Sequence, residues 1–91
     1  MTDLQVKFFM ELTRTLSFSK TAETFYTTQP TVSRQIKMLE EEWGVKLFDR
    51  NKRQVQLTKA GKIMADFFGS HREALMKALQ KARKRTLRQI R

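Results

Sequence analysis

The chain of 91 residues has no cysteine and one histidine, which leaves no disulfide, no Cys-His pair and no cluster of soft metal ligands. Its three glycines are dispersed, at Gly44, Gly61 and Gly69, so no Gly-rich phosphate loop is present. No apolar run approaches the roughly 18 residues of a membrane span, and no signal peptide opens the chain. We therefore expect a cytoplasmic protein that is not an enzyme and has no cofactor, no metal and no membrane partner.

Acidic residues are also scarce. Nine Asp and Glu oppose nineteen Lys and Arg, and the formal net charge is +10, which favours a polyanionic partner. Seven of the basic residues follow Glu73, where the chain has no acid, so residues 1–73 carry a net charge of only +3. The net charge therefore describes a basic C-terminal tail more than the rest of the chain.

Residues 17–50 contain the pattern of a helix-turn-helix, in which a short helix and a polar turn precede a second, recognition helix. We predict the recognition helix from about Gln29 to Trp43, with Gly44 at its end. Thr28 should supply the N-cap hydroxyl, and Pro30 lies in the first turn, where no backbone donor is needed.

One face of the recognition helix is apolar, and the charges on its polar face are segregated. The apolar stripe, spaced four, three and four residues apart, consists of Val32, Ile36, Leu39 and Trp43. Arg34 and Lys37 lie in the first half, whereas residues 40–42 are consecutive glutamates that repel phosphate and should form a solvated face. Only the N-terminal half can then approach DNA. An amphipathic core helix with a solvated polar face is the alternative.

Four blocks of the chain closely resemble the N-terminal DNA-binding domain of LysR-type transcriptional regulators. They are SFSKTAE, TQPTVSRQIKMLEEE, GVKLFDR and LTKAG, in the family's order and spacing. Phe25, Thr27 and Trp43 stand where other residues are usual in the family. The resemblance implies sequence-specific binding of double-stranded DNA by a bacterial-type transcription regulator, with the recognition helix in the major groove. Family members normally continue into an effector-binding domain, absent here, so we expect a fragment or a naturally short chain.

The flanking segments predict a mainly α fold, a winged helix-turn-helix of three helices and a two-stranded wing (residues 1–58) followed by a long linker helix (residues 59–91). The first helix should run from about Asp3 to Leu16 behind a capping box of Thr2 and Gln5. Ser19 should cap the short second helix, which ends near Tyr26. In the wing, a basic run at residues 50–53 precedes Val55 and Leu57, which alternate with glutamines as in a half-buried strand. A solvated basic hairpin is the alternative.

The last helix, capped by Thr58, has an apolar stripe that approximates a heptad seam. A helix that projects from a small domain cannot bury such a stripe alone, which implies a partner, most simply a second copy. The resemblance implies a homodimer through this helix, with a tetramer as a further possibility in a full-length protein. Packing of this helix on its own domain is the alternative; it can use Ile63 and Phe67 but no position beyond Leu75. The predicted dimer residues are Met64, Phe68, His71, Leu75, Ala78, Leu79 and Ala82.

Nine residues are predicted to contact DNA. Four of them should lie at base edges, where glutamine pairs with adenine and arginine with guanine: Gln29, Thr31, Ser33 and Arg34. Pro30 lies among them, and Lys20, Lys37 and Arg50 are expected at phosphates. The resemblance implies that Arg53 of the wing enters the minor groove. A twofold dimer should select an interrupted palindrome.

Two other functions fit parts of the sequence. The chain could bind DNA without sequence preference through its basic tail, or it could be an assembly module whose tail binds an acidic protein or a membrane surface. The membrane version has little support, because Leu87 and Ile90 are the only large apolar residues of the tail. Selection of a defined DNA motif by the chain would favour sequence-specific DNA binding over both of these functions.

Overall fold

The computed structural model describes residues 1–51 and 53–89, with side chains as far as residue 85. Within these residues, the order of elements is α1 (Asp3–Thr15), α2 (Phe18–Thr24), α3 (Gln29–Trp43), β1 (Phe48–Asp49), β2 (Gln56–Leu57) and α4 (Lys59–Gln89). This order is the predicted one. Lys52 of the basic run and the tail residues Ile90 and Arg91 lie outside the described residues, as do the side chains of Leu87 and Arg88.

The first helix, α1, begins with the predicted capping box. Thr2 Oγ1 accepts a hydrogen bond from the backbone N–H of Gln5 at 3.1 Å, and Gln5 Oε1 accepts one from the backbone N–H of Thr2 at 3.1 Å. The helix ends at Thr15, one residue before the predicted end, because Leu16 adopts a left-handed conformation with φ of 52°. The N–H of Leu16 donates to the carbonyl of Leu12 at 2.8 Å and closes the last turn.

The start of α2 differs from the prediction. Ser17, rather than Ser19, is the N-cap, and its Oγ accepts a hydrogen bond from the backbone N–H of Lys20 at 3.1 Å. The helix ends at Thr24, because Tyr26 already lies in the turn with φ of 53°. A start behind Ser17 places Phe18 at the first helical position, and there its side chain is buried in the core.

Helix α3 has the predicted bounds, and Gly44 ends it in the left-handed conformation with φ of 70°. Val32, Ile36 and Leu39 of the apolar stripe are fully buried, while Trp43 is half-buried. These residues share a core with α1, α2 and β1. That core consists of Phe8, Phe9, Leu12, Phe18, Ala22, Val32, Ile36, Leu39, Leu47 and Phe48.

The prediction for the N-cap of α3 is right about the position and wrong about the contact. Thr28 is the N-cap residue, but its hydroxyl makes no hydrogen bond to a backbone N–H of the first turn. The hydroxyls of Thr28 and Thr31 lie 2.8 Å apart and hydrogen-bond to each other instead. Side-chain hydroxyls one turn apart on a helix meet in this way, and the pairing leaves the first N–H groups of α3 without a side-chain cap.

The wing is a short antiparallel ladder in which Phe48 pairs with Leu57 and Asp49 with Gln56. Val55 and Leu57 are half-buried and Gln56 is exposed, as the alternation in the sequence predicts. The wing then leads directly into α4. Thr58 Oγ1 accepts from the backbone N–H of Gly61 at 3.0 Å, which confirms Thr58 as the cap of the last helix.

The first turns of α4 pack on the core through two residues that were predicted for the dimer interface, Met64 and Phe68. The ring of Phe68 stacks on Trp43 with centroids 5.7 Å apart and planes inclined by 18°, and Met64 packs against the same core. Ile63 and Phe67, which the alternative of packing on the parent domain could have used, are 67% and 50% exposed. Phe68 faces inward instead because Trp43, at the end of α3, lies against that side of α4.

Between residues 71 and 85 the last helix makes little contact with the rest of the described chain. Every residue from 71 to 85 is exposed. In the part of the chain that the structure describes, no helix combines the length and the apolar character that a membrane crossing requires.

Candidate nucleic-acid interface

The N-terminal half of α3 presents polar and basic side chains away from the core. Gln29, Pro30, Arg34 and Lys37 are exposed, and Thr31 is half-buried. They are held outward because Val32, Ile36 and Leu39 anchor the opposite side of the helix in the core. A helix fixed on one side and carrying cations on the other can enter a groove of DNA without losing its packing.

The start of α2 lies beside the start of α3. Ser19 Oγ donates a hydrogen bond to Gln29 Oε1 at 3.3 Å, so the two helix N-termini are joined by a side-chain contact. Lys20, which follows Ser19 in the first turn of α2, is exposed. The structure therefore places Lys20 and Gln29, both predicted DNA contacts, on one continuous surface.

Glu40 is not part of a solvated face, contrary to the prediction for residues 40–42. Its side chain is buried, whereas Glu41 and Glu42 are exposed. Glu40 Oε2 accepts hydrogen bonds from the backbone N–H of Leu47 at 2.7 Å and of Phe48 at 3.4 Å, where β1 begins. The signal for this burial was present in the sequence, because Glu40 lies four residues after Ile36 and only about 40° from it around the helix.

Arg50 crosses from the wing to the recognition helix and occupies the space above Glu40. Its Nη1 donates to Ser33 Oγ at 2.8 Å, and its Nη2 lies 3.5 Å from Glu40 Oε1. The guanidinium carbon is 4.6 Å from the centre of the Phe18 ring, at cation–π distance. Arg50 was predicted to contact a phosphate, but in the structure its charge is balanced within the chain. We call Ser33, Arg50 and Glu40 the wing–helix triad.

Three other predicted DNA contacts, on α3 and on the wing, have exposed cationic side chains. Arg34, Lys37 and Arg53 are exposed, Arg53 on the wing and the other two on α3. Lys37 also lines a shallow cleft between α3 and the wing, and exposed Lys46 lines the same cleft. Lys46 was not among the predicted contacts, because its place beside Lys37 depends on how the chain folds back after Gly44.

The predicted dimer residues divide into two groups. Met64 and Phe68 are half-buried against their own core. His71, Ala78 and Ala82 are exposed, as are Leu75 at 58% and Leu79 at 38%. A groove between α1 and α4, lined in part by Met10, Phe25, Phe68, His71 and Leu75, runs along the same side.

Among the described residues, no three His, Asp or Glu side chains come together as ligands for a metal ion. The predicted DNA contacts lie on α3, at the start of α2 and on the wing. Together they define a winged helix-turn-helix domain with one continuous polar and basic face.

Comparison with known proteins identifies the family. Residues 4–62 match the family model of the bacterial regulatory helix-turn-helix proteins of the lysR family. The chain belongs to that family, as the resemblance of its four blocks implied. It is a family of transcriptional regulators and not a family of enzymes.

Relatives and solved structures agree with this assignment. The HTH-type transcriptional regulator HdfR of Escherichia coli O139:H28 is 40% identical over 79 residues, which cover 87% of this chain and 27% of HdfR. The DNA-binding domain of BenM in its complex with catB site 1 DNA has a TM-score of 0.80 at 27% identity, covering 92% of this chain and 94% of that one. A LysR-family regulator from Eggerthella lenta DSM 2243 has a TM-score of 0.72 at 38% identity, covering 76% and 99%. The chain thus spans about a quarter of the length of HdfR.

Proposed function

We propose that this chain binds double-stranded DNA with sequence specificity, as the DNA-binding part of a transcription regulator. The observation that carries the proposal is the exposed N-terminal half of α3, whose only charged residues are Arg34 and Lys37, opposite a stripe buried in the core. An exposed helix of this kind matches the geometry by which helix-turn-helix proteins enter the major groove. The solved BenM domain, which has the same fold, is bound to DNA.

The side chains take different roles in this proposal. Gln29, Thr31, Ser33 and Arg34 read base edges, because they lie on the N-terminal half of α3 beside Pro30. Lys20 and Lys37 are exposed at its margins and bind phosphates, where the uncapped N–H groups at the start of α3 add to the attraction. Arg53 on the wing lies in the minor groove.

Selection of genomic DNA fragments by the purified chain, followed by sequencing, tests the proposal. Recovery of a defined motif supports it. Uniform recovery would replace it with sequence-neutral binding through the basic tail, and no recovery would favour an assembly module.

Arg34→Ala provides the sharper test of readout. A bidentate contact of arginine to guanine is worth about 1–3 kcal/mol, so affinity for the selected motif should fall by roughly tenfold to a hundredfold while affinity for random DNA changes little. Lys37→Ala removes the same charge from the same exposed face and is the matched control. It should weaken both kinds of DNA equally and reduce the salt slope by about one unit. Equal loss on both DNAs with Arg34→Ala would make Arg34 a phosphate contact.

The chain also forms a homodimer through α4 in this proposal. The support is the row of exposed apolar side chains beyond Ser70, which the chain itself does not cover: Leu75, Met76 and Leu79. His71, Ala78 and Ala82 complete the interface, whereas Met64 and Phe68 contribute mainly by holding α4 to the domain. A twofold dimer of this kind selects an interrupted palindrome.

A further inference from the structure

The wing–helix triad joins two elements that contact DNA in the proposed function. Ser33 and Glu40 are seven residues apart on α3, which is about two turns, so both lie on the same side of the helix. Arg50 comes from the end of β1 and contacts both of them, at 2.8 Å and 3.5 Å. Glu40 in turn accepts hydrogen bonds from the backbone of Leu47 and Phe48. The wing is therefore attached to the recognition helix in two ways, through the Arg50 side chain and through the backbone at the start of β1.

We infer that Arg50 is a positioning residue for DNA readout. It orients the Ser33 hydroxyl as a hydrogen-bond donor toward DNA, and it holds the wing against α3. The inference rests on the proposed function and names how one of its side chains is oriented. It replaces the expectation that Arg50 contacts a phosphate.

The chemistry of a hydroxyl explains the first part. A serine oxygen can accept hydrogen bonds and donate one proton. Because Arg50 Nη1 points its hydrogen at Ser33 Oγ, the oxygen acts as the acceptor in that contact and its own proton remains available. A serine within a helix commonly gives this proton to the carbonyl four residues earlier. No such bond from Ser33 is found in the described part of the chain, although Thr24 makes one to Lys20 at 3.1 Å.

Because Arg50 takes one of the two lone pairs of Ser33 Oγ, donation of the hydroxyl proton becomes the favoured contact of Ser33 with a base edge. Purine N7, guanine O6 and thymine O4 accept this proton, whereas the amino groups of adenine and cytosine would have to share the oxygen with Arg50. One base-pair position of the target should therefore favour an acceptor, and the strength of that preference should depend on Arg50 as well as on Ser33.

The surroundings of Arg50 argue against a phosphate contact. Its Nη2 is buried, and the side chain as a whole is only 30% exposed. The buried carboxylate of Glu40 already balances the guanidinium, and removal of that partner would leave Glu40 uncompensated. Lysine cannot replace this arrangement, because a single ammonium lacks the planar fork that faces Ser33 and Glu40 at once.

The test compares three variants with the parent chain: Arg50→Lys, Ser33→Ala and the double variant. The affinity of each is measured for the motif that the parent chain selects and for random DNA. It is also measured for a panel of motifs in which each base pair is substituted in turn. We expect Arg50→Lys and Ser33→Ala each to lose about tenfold in affinity for the motif, with random DNA and the salt slope unchanged. The double variant should lose no more than the larger single loss, because both changes remove the same contact. Preference should disappear at one and the same base pair in all three.

Ser33→Thr is the rescue control, because it keeps a hydroxyl on the same carbon, and it should stay within about threefold of the parent chain. Thermal unfolding of each variant checks that the fold is retained. If Arg50→Lys does not fold, Ser33→Ala still tests the donor, since it leaves the Arg50–Glu40 contact in place. Loss of a preference for an acceptor at one base pair supports the donor role of Ser33 on which the inference depends, and an unchanged preference overturns the inference.

Other outcomes separate failure of the inference from failure of the proposed function. If the parent chain selects a motif and Arg50→Lys binds it normally, with Arg50→Gln lowering the salt slope by one unit, Arg50 is a phosphate contact and the inference is wrong. If Arg50→Lys weakens preference at every base pair, Arg50 acts only on the fold, which also overturns it. If the parent chain selects no motif, the proposed function and this inference fail together.

Discussion

Tyr26 has a left-handed backbone conformation in the turn between α2 and α3, with φ of 53°, and its side chain is 99% exposed. Left-handed φ costs an ordinary residue about 1–2 kcal/mol, whereas asparagine tolerates it. Because the Tyr26 ring is fully exposed, little packing is lost with it. Tyr26→Asn should therefore raise the free energy of unfolding by about 0.5–1 kcal/mol, measured by urea denaturation.

Leu16 provides the matched control for this prediction. It has nearly the same backbone conformation, with φ of 52°, but its side chain packs against the core. Leu16→Asn should destabilise the domain, because the lost apolar contact outweighs the relief of the backbone. A lower unfolding free energy for Tyr26→Asn would show that the ring makes stabilising contacts in solution.

Gly61 is required because Leu47 and Leu57 approach its Cα closely, and not because of its backbone angles. A Cβ at this position would overlap the carbonyl oxygen of Leu47 and lie 2.7 Å from Leu57 Cδ1. Backbone atoms cannot move aside as a flexible side chain can, so Gly61→Ala should destabilise the domain by about 1–3 kcal/mol despite the higher helix propensity of alanine.

The same substitution at Gly69 should have the opposite effect on the stability of the chain. A Cβ there meets nothing within 4 Å, and α4 continues through this residue. Gly69→Ala should then stabilise the chain by about 0.5–1 kcal/mol. Thermal unfolding of the two variants measures both effects, and equal shifts would contradict the proposed contact at Gly61.

At the scale of elements, the junction between α3 and α4 depends on a pair of aromatic rings. Phe68 stacks on Trp43 and also meets the edge of Phe9, with centroids 6.5 Å apart. Phe68→Ala should cost about 2–3 kcal/mol, somewhat less than a fully buried phenylalanine, because Phe68 is only half-buried.

Phe67→Ala is the control at the next position of the same helix. Its ring is 50% exposed, so the change should cost less than about 1 kcal/mol. Denaturation is best measured at low protein concentration, where dimerisation contributes little. A larger effect at Phe67 than at Phe68 would mean that α4 is rotated relative to the arrangement described here.

At the scale of the whole molecule, the proposed homodimer is what would cover the exposed apolar side chains of α4. Leu75→Asp should convert the dimer into a monomer, since a carboxylate buried between two apolar helices costs several kcal/mol. Sedimentation should show the monomer, and binding should be confined to weakly held half-sites. Gln80→Asp puts the same charge about 140° away around α4 and should leave the dimer intact.

Sedimentation of the parent chain as a monomer at high micromolar concentration, together with selection of a non-symmetric site, would contradict the dimer proposal. The proposed role of α3 in DNA binding would survive that result, because its exposure does not depend on α4.

The sequence alone determined the features that depend on neighbouring residues. The capping box of Thr2 and Gln5, Pro30 in the first turn of α3 and the left-handed end at Gly44 each act within one helical turn, so the bounds of α1 and α3 could be read with little error. The buried stripe of α3 was predictable for the same reason, because its spacing alone defines the inward face.

Only the tertiary structure decided the features that depend on residues distant in sequence. Trp43 decides that Phe68 faces inward rather than Phe67, and the backbone of Leu47 makes a buried site for the Glu40 carboxylate. Arg50 hydrogen-bonds to Ser33 and pairs with Glu40, whereas Arg34 and Lys37 near it are exposed. Helical periodicity specifies which residues share a face, but the partner across the fold determines whether a charge on that face meets water, protein or DNA.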